Sequence, residues 1–330
     1  MLADMKNKVF AGLSLLTFII ISLAPFILHG CTTEQVFTIG YINPNPEEEE
    51  GAQGFLRNMP KYGFIEGNNV TYIKFEDRDI KGMEAALKDM AAKRVDMIFT
   101  MTTPAVKLAK QATEGTGIPV VFVQYDAVRS GVIKGLTNPG GNITGIQLRG
   151  STQKSLEFLR AIAPHTKHIF VPVKFDTGGA LHSLEELKQE AAKFGLNISV
   201  SEISTVEELR SSMASLPKDV DAIFLVHSWL VGSNLNVVID NAIKRKIPVF
   251  SAGHVDYKNG VVFSYAPTDD RTGSQAARMA HSILHDGILP ADLPVETADF
   301  FLGINLMTAQ AMGIKIPNEI LQQADFIIRE

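Results

Sequence analysis

Hydrophobic runs and amphipathic stretches alternate along the chain from residue 36 onward. Short apolar runs predict strands, and the stretches between them have helical spacing, as where Met83, Leu87 and Met90 share one face. In the first half the predicted elements are strands at Val36–Ile42, Val70–Phe75, Met97–Met101 and Pro119–Gln124, and helices at Gly51–Tyr62, Gly82–Lys93 and Pro104–Thr113. Such alternation is typical of parallel strands joined by helical crossovers.

The loop Asn138–Asn142 is the clearest break in this pattern, because two glycines follow a proline there. The alternation then resumes, with strands at His168–Val173, Ile198–Ile203, Ala222–His227, Pro248–Ser251 and Val261–Tyr265, and helices at Leu181–Phe194, Val206–Leu216 and Leu235–Lys244. A chain of 330 residues is also long enough to divide into two cores. We therefore predict an α/β fold of two doubly wound parallel-sheet lobes.

The first residues predict export. A polar start with Lys6 and Lys8 precedes an apolar stretch that ends at Cys31, which is the order of a secretory signal peptide. An uncleaved membrane helix is the alternative, but Pro25 and the small residue before the cysteine favour cleavage. The ending resembles the lipobox of bacterial lipoproteins, although His29 is unusual there. We expect residues 1–30 to be a lipoprotein signal peptide, Cys31 to carry a lipid that anchors the protein to a bacterial membrane, and residues 31–36 to be a tether; an ordinary thiol is the alternative for Cys31.

Composition narrows the functional class. With a single cysteine, no disulfide or cysteine-rich metal site is available. The formal charge of −5 and the lack of basic clusters argue against nucleic-acid binding. No nucleophile elbow, phosphate-binding glycine loop or pair of catalytic carboxylates is evident. We therefore expect a binding protein with no catalytic residues and no cofactor.

Two polar clusters have an ordinary structural explanation. His281 and His285 have the i, i+4 spacing of a metal chelate, but no third ligand is evident, so we expect exposed helix positions and no metal site. The run Glu47–Glu50 fits a solvated first helical turn better than a cation site.

Five stretches in order together resemble the substrate-binding proteins of bacterial ABC transporters, in the group of the tryptophan- and tyrosine-binding lipoproteins. They are Gly63–Val70, Ile118–Phe122, Asn138–Gly145, Pro290–Val295 and Gly303–Gly313. The resemblance implies a type I periplasmic-binding-protein fold, a monomer that hands a small-molecule ligand to an ABC permease. It places residues 37–147 plus 266–293 in lobe 1 and 148–265 plus 294–330 in lobe 2. The chain would cross between lobes near 145–149, 265–267 and 293–296, which assigns the helix Thr272–Leu284 to lobe 1.

Ligands of open parallel sheets bind beyond the carboxyl ends of the strands. In lobe 1, Thr103 fits a helix N-cap before Pro104, and with Thr102 it would form a seat for a carboxylate; a well-capped helix is the alternative. Asp126 would pair with a ligand ammonium group or serve as a turn residue. The other candidates in this lobe and at the first crossing are Tyr41, Asn43, Gln124, Tyr125 and Ser151.

In lobe 2 the corresponding loops supply Phe175, Ser228, Trp229 and Asp256. Trp229 is the only tryptophan and would stack on an aromatic or cationic ligand, or else pack between the lobes. These loops depart from the family's serine-rich and Asp-containing turns. The hypothesis is that Thr102, Thr103 and Ser151 hold the acid group of an amino acid or related carboxylate, Asp126 its amine, and Tyr41 with Trp229 its side chain. A lipoprotein sensor and a secreted enzyme are the rival hypotheses.

Overall fold

The computed structural model describes residues 35–44, 49–175, 178–253 and 256–329. It divides the chain into Met1–Gln35 and a compact unit Val36–Glu330. The predicted signal peptide, Cys31, Glu47 and Glu48 lie outside the described residues. Within the described part, no helix is both long and apolar enough to cross a membrane.

The first sheet contains six parallel strands. They are β1 (Phe37–Ile42), β2 (Val70–Phe75), β3 (Met97–Met101), β4 (Val120–Gln124), β5 (Ile143–Gln147) and β11 (Glu296–Thr297), in the order β11-β5-β4-β3-β1-β2. Four helices cover its two faces: α1 (Glu49–Asn58), α2 (Ile80–Ala92), α3 (Thr103–Ala112) and α9 (Asp269–Leu284). Alternate residues of β4 point to opposite faces, so Val121 packs towards α1 and α9, and Phe122 towards α2 and α3.

The second sheet contains seven strands. They are β6 (His168–Val173), β7 (Asn197–Glu202), β8 (Ala222–Leu225), β9 (Val249–Ser251), β10 (Phe263–Pro267), β12 (Phe300–Asn305) and β13 (Phe326–Ile328), in the order β13-β12-β10-β9-β8-β6-β7. The helices are α4 (Thr152–Ile162), α5 (Gly178–Lys193), α6 (Val206–Ala214), α7 (Trp229–Gly232), α8 (Leu235–Arg245), α10 (Leu306–Ala311) and α11 (Asn318–Leu321). One apolar cluster spans this lobe. The two doubly wound lobes are as predicted, except that β10 and β12 pair antiparallel.

The chain passes between the two sheets three times. It leaves β5 for α4, returns from β10 to α9, and leaves again after β11. The prediction placed everything after residue 293 in lobe 2, but Glu296 and Thr297 pair with β5 in the first sheet. The third crossing therefore lies between Thr297 and Phe300. Helix α9 also begins earlier than predicted, because the Thr268 side chain caps it by accepting from the Arg271 amide.

Two glycines allow α1 and α9 to pack with their backbones in contact. A Cβ atom on Gly273 would lie 2.1 Å from the carbonyl carbon of Gly54, and one on Gly54 would lie 2.4 Å from the carbonyl oxygen of Asp269. Neither neighbour is a side chain that can rotate away. This contact holds α9 in the first lobe, although its sequence follows the strands of the second.

We predict that Gly273→Ala destabilises the fold by about 1–3 kcal/mol, the usual cost of overpacking, even though alanine is the better helix former. Gly135→Ala is the control, because nothing lies within 4 Å of its added methyl group. Urea unfolding of both variants measures the difference. Equal stability of the two variants would contradict the close approach of α1 and α9.

Candidate functional site

The carboxyl ends of the two sheets meet at an interface between the lobes. Tyr125 follows β4 of the first sheet, and its ring packs edge-on against His227, which follows β8 of the second, at a centroid distance of 4.7 Å. On the same side, the guanidinium of Arg78 lies 3.8 Å from the ring centre of Trp229. Loops after β2, β4 and β8 therefore face a common cleft.

A buried carboxylate on α5 connects the lobes. Glu186 is 9% exposed, and its Oε2 accepts hydrogen bonds from Arg149 Nε at 2.8 Å and from the Tyr125 hydroxyl at 3.2 Å. Arg149 belongs to the first crossing, and its Nη1 also lies 3.4 Å from Oδ2 of Asp126. A second pair, Arg129 with Glu185, joins the loop after β4 to α5.

This network changes the proton affinity of its members. The hydrogen bond to Glu186 is the main reason that the pKa of Arg149 lies above its ordinary value. Burial, and then the charge of Glu186, raise the pKa of the Tyr125 phenol. The arginine is therefore charged and the phenol neutral over the physiological range.

Asp126 already has partners within the protein. Its Oδ1 accepts from the Arg129 amide at 2.9 Å, and its Oδ2 faces Arg149. The structure therefore shows Asp126 in a turn and in an ion pair, and its predicted pairing with a ligand ammonium group stays a prediction.

Three more of the predicted ligand-binding residues form hydrogen bonds to other residues of lobe 2. The Ser151 hydroxyl donates its one proton to the Ala252 carbonyl at 2.9 Å, so it cannot also donate to a ligand carboxylate. Asp256 accepts from the Ser251 hydroxyl at 2.7 Å, and Ser228 Oγ accepts from the Lys174 amide at 3.0 Å. These bonds hold the loops of the second sheet in place.

Tyr41 lies in the core of lobe 1. It is fully buried and its ring stacks on Phe99 at 5.8 Å, so it does not reach the cleft as predicted. Burial is the main cause of its raised pKa, and the side chain of Asn43 acts in the opposite direction. Asn43 is itself buried, whereas Phe175, two residues after the end of β6, is 37% exposed.

The loop after β3 has unusual backbone geometry. Helix α3 begins at Thr103, one residue before the prediction, so Thr102 is the N-cap, and its side chain makes no capping hydrogen bond. Thr102 has φ of +68°, which is costly for a β-branched residue, and backbone strain of this kind is concentrated at functional sites. A Cβ on Gly178, the first residue of α5, would lie 3.9 Å from Thr103 Cγ2, so this turn faces the second lobe.

Among the buried polar groups that have no hydrogen-bond partner in the described part of the chain, Gln124 lies at the carboxyl end of β4 and Trp229 lies beyond that of β8. Gln124 is 2% exposed, and neither its Oε1 nor its Nε2 is bonded. It neighbours Thr102, whose amide donates to the Val123 carbonyl. The indole Nε1 of Trp229 is the second such group. A buried amide without partners is costly and rare, which marks this position as one that needs an additional polar partner.

Sequence reasoning missed Arg78, Arg149, Glu186 and His227. Arg149 stood at the end of the predicted first crossing, and His227 closed a predicted strand, so the rule of strand ends could have found both. Arg78 also lies just beyond a predicted strand, Val70–Phe75, so the same rule could have selected it. Glu186 carried no such signal, since charged residues on helices are usually solvated.

The sequence matches the family described as ABC transporter substrate binding protein over residues 43–328, and the chain belongs to this family. Its members bind solutes and are not enzymes, and they typically work outside the cytoplasm. A tyrosine-binding protein of Clostridioides difficile is 25% identical over 264 residues, which are 79% of this chain and 75% of the relative.

Solved structures confirm the fold. A domain from Streptococcus pneumoniae in complex with L-Trp is 24% identical, with a TM-score of 0.79 over 89% of this chain and 100% of that one. A ligand-free, open substrate-binding protein with adhesive properties from Clostridium difficile is 26% identical, with a TM-score of 0.71 over 89% and 100%. The glucose-galactose-binding protein of Geobacillus stearothermophilus is 16% identical, with a TM-score of 0.60 over 81% and 97%. The chain has the predicted type I periplasmic-binding-protein fold.

We predict that stability falls as pH rises above about 10. Tyr41, Tyr72 and Tyr125 have pKa values raised above 10.0, mainly by burial. The unfolded chain releases these protons near pH 10 and the folded chain does not, so ionisation favours unfolding there. The near-ultraviolet absorbance of tyrosinate should rise for these residues only on unfolding, and Tyr125→Phe should flatten the loss of stability. Full tyrosine ionisation in a folded chain would contradict the burial.

Proposed function

We propose that this protein captures an amino acid with an aromatic side chain in the cleft between its lobes and delivers it to the permease of an ABC transporter. The observation that supports this proposal most strongly is the buried amide of Gln124 at the cleft. Both its donor and its acceptor lack a partner in the described structure. The α-carbon of an amino acid bears an ammonium group, which donates, and a carboxylate, which accepts. One such ligand would satisfy both ends of this amide.

The carboxylate of the ligand would lie at the start of α3. The first amides of a helix have no partner within the helix, and its dipole favours an anion at this end. Thr102 and Thr103 add hydroxyl groups there, and Gln124 lies next to Thr102. This arrangement keeps the predicted carboxylate site at Thr102 and Thr103. Gln124 would take the role predicted for Ser151 as a donor to the carboxylate, and the role predicted for Asp126 as an acceptor from the ammonium group.

The side chain of the ligand would contact Trp229. This ring already carries a guanidinium on one face, and its Nε1 is available to a polar ligand atom. Aromatic rings and cations both stack on indole, so an aromatic ligand fits this surface. The names of two relatives support the choice, because one is a tyrosine-binding protein and the other was solved with L-Trp.

The predicted export signal fits this role. A lipid on Cys31 and the tether to residue 36 would keep the receptor beside its permease. The lobes would be residues 37–147 with 266–297, and 148–265 with the remainder of the chain. Capture would then proceed by closure of the lobes on the ligand.

Replacing Gln124 with methionine tests the proposal, because methionine matches the shape of glutamine without its polar atoms. We predict that Gln124→Met leaves the ligand-free chain at least as stable as the wild type, since two unpaired polar atoms are removed from the interior. Its affinity for L-tyrosine should fall about 10- to 100-fold, as expected for lost hydrogen bonds to charged groups of about 1.5–3 kcal/mol.

Thermal unfolding with and without L-tyrosine and L-tryptophan measures both effects. Ligand at about 100 times its dissociation constant should stabilise the wild type by roughly 2.7 kcal/mol. Gln111→Met on the exposed side of α3 is the control and should bind as the wild type does. Equal affinity of Gln124→Met and wild type, or the absence of any shift with these amino acids, would contradict the proposal.

A further inference from the structure

The carboxyl-terminal end of α9 brings two imidazoles and a carboxylate together. His281 and His285 lie one helical turn apart with their rings stacked, at a centroid distance of 4.6 Å. Phe64 contacts the His281 ring and also packs on Phe37 at the start of β1. This cluster of His281, His285 and Asp286 therefore lies at the amino end of the first sheet, away from the cleft.

The three side chains converge on a shared point. Oδ1 of Asp286 lies 2.9 Å from Nδ1 of His285, and its Oδ2 lies 3.5 Å from Nδ1 of His281. One ligating atom from each residue lies within 4.8 Å of the other two. Because the two imidazole rings are stacked, binding one ion at about 2.0–2.2 Å from imidazole nitrogen and carboxylate oxygen requires these side chains to rotate about their bonds.

The backbone holds Asp286 against the histidine pair. The amides of His285 and Asp286 both donate to the His281 carbonyl, at 2.8 and 3.3 Å. Gly287, at φ of +70°, then turns the chain out of the helix. Tyr62 packs on the other side of the cluster, with its ring centre 6.1 Å from that of His281. The ligands are therefore placed by a helix end and an aromatic wall.

The surroundings favour a cation. The carboxyl-terminal end of a helix carries partial negative charge, and the carboxylate of Asp286 adds a formal negative charge beside it. Imidazole nitrogens suit Zn²⁺, Ni²⁺ and Cu²⁺, whereas Mg²⁺ and Ca²⁺ prefer sites made of oxygen ligands alone.

We propose that His281, His285 and Asp286 bind a divalent transition-metal ion of the zinc type, with water completing its coordination. Three protein ligands and an open position are a common arrangement for such ions. The sequence suggested the histidine pair, but the third ligand was not recognised because Asp286 follows directly after His285. The chain turn that brings its carboxylate back is visible only in the structure.

Calorimetric titration of the metal-free chain from Val36 onward with ZnCl₂ tests this site. We expect one ion bound per chain, and no binding of MgCl₂ under the same conditions. His281→Gln, His285→Gln and Asp286→Asn should each weaken zinc binding by about tenfold or more, since even residues that only support metal ligands have effects of 10–100-fold. His165→Gln, an exposed histidine in the other lobe, is the matched control and should bind as the wild type does.

The variants distinguish zinc binding at this cluster from zinc binding elsewhere on the protein. The His285 side chain is 70% exposed, so His285→Gln should fold normally, and its melting curve checks this. Wild-type affinity in His285→Gln, or zinc binding that persists when both histidines are replaced, would place the ion elsewhere and overturn the proposal. No binding to the wild type up to millimolar zinc would overturn it too. None of these results depends on the amino-acid ligand of the cleft.

Discussion

The arrangement of the lobes depends on the pairing of one buried carboxylate. Glu186 on α5 is 9% exposed and would be strongly unfavourable there without a compensating charge. Arg149, from the segment that joins the lobes, supplies this charge, and Tyr125 from the first lobe donates a second hydrogen bond. Because these donors come from different parts of the chain, the bonds to Glu186 link the two lobes in the arrangement that the structure shows.

Near the contact between Tyr125 and α5, two buried polar side chains lack hydrogen-bond partners within the described part of the chain. When Tyr125 lies against α5, Gln124 beside it is buried with no hydrogen-bond partner among the described residues, and so is Nε1 of Trp229. A partly satisfied polar interface is less stable than a fully satisfied one. A ligand that bonds to these groups would stabilise the arrangement of the lobes in which they lie buried at the cleft. Differential stabilisation of this kind is what allows a solute to shift an equilibrium between open and closed lobes.

Much of the fold could be predicted from the sequence. Strands β2, β3 and β6 have the predicted bounds, and β3 and β6 are apolar runs covered by helices on both faces. The last strands were missed, because β13 has only three residues and is partly exposed, and because β12 runs antiparallel to its neighbour β10. Local patterns carry no information about such pairings.

The site was predictable to a smaller extent. The rule that ligands lie beyond strand ends selected Thr102, Gln124 and Trp229, which the proposed site uses. It also selected Asp126 and Ser151, but their partners Arg149 and Ala252 are distant in sequence, so the sequence could not reveal that these side chains were already engaged. Position at a strand end is a local property, whereas the availability of a polar group depends on the whole fold.

The distance between the lobes in solution tests the central claim most directly. Dyes on Glu114→Cys in the first lobe and Lys218→Cys in the second, both exposed, allow single-molecule energy transfer in a chain from Val36 that has no other cysteine. The account predicts two populations, a shift to the shorter distance with L-tyrosine, and a larger open population in Glu186→Gln. A single distance that neither L-tyrosine nor Glu186→Gln alters would contradict it.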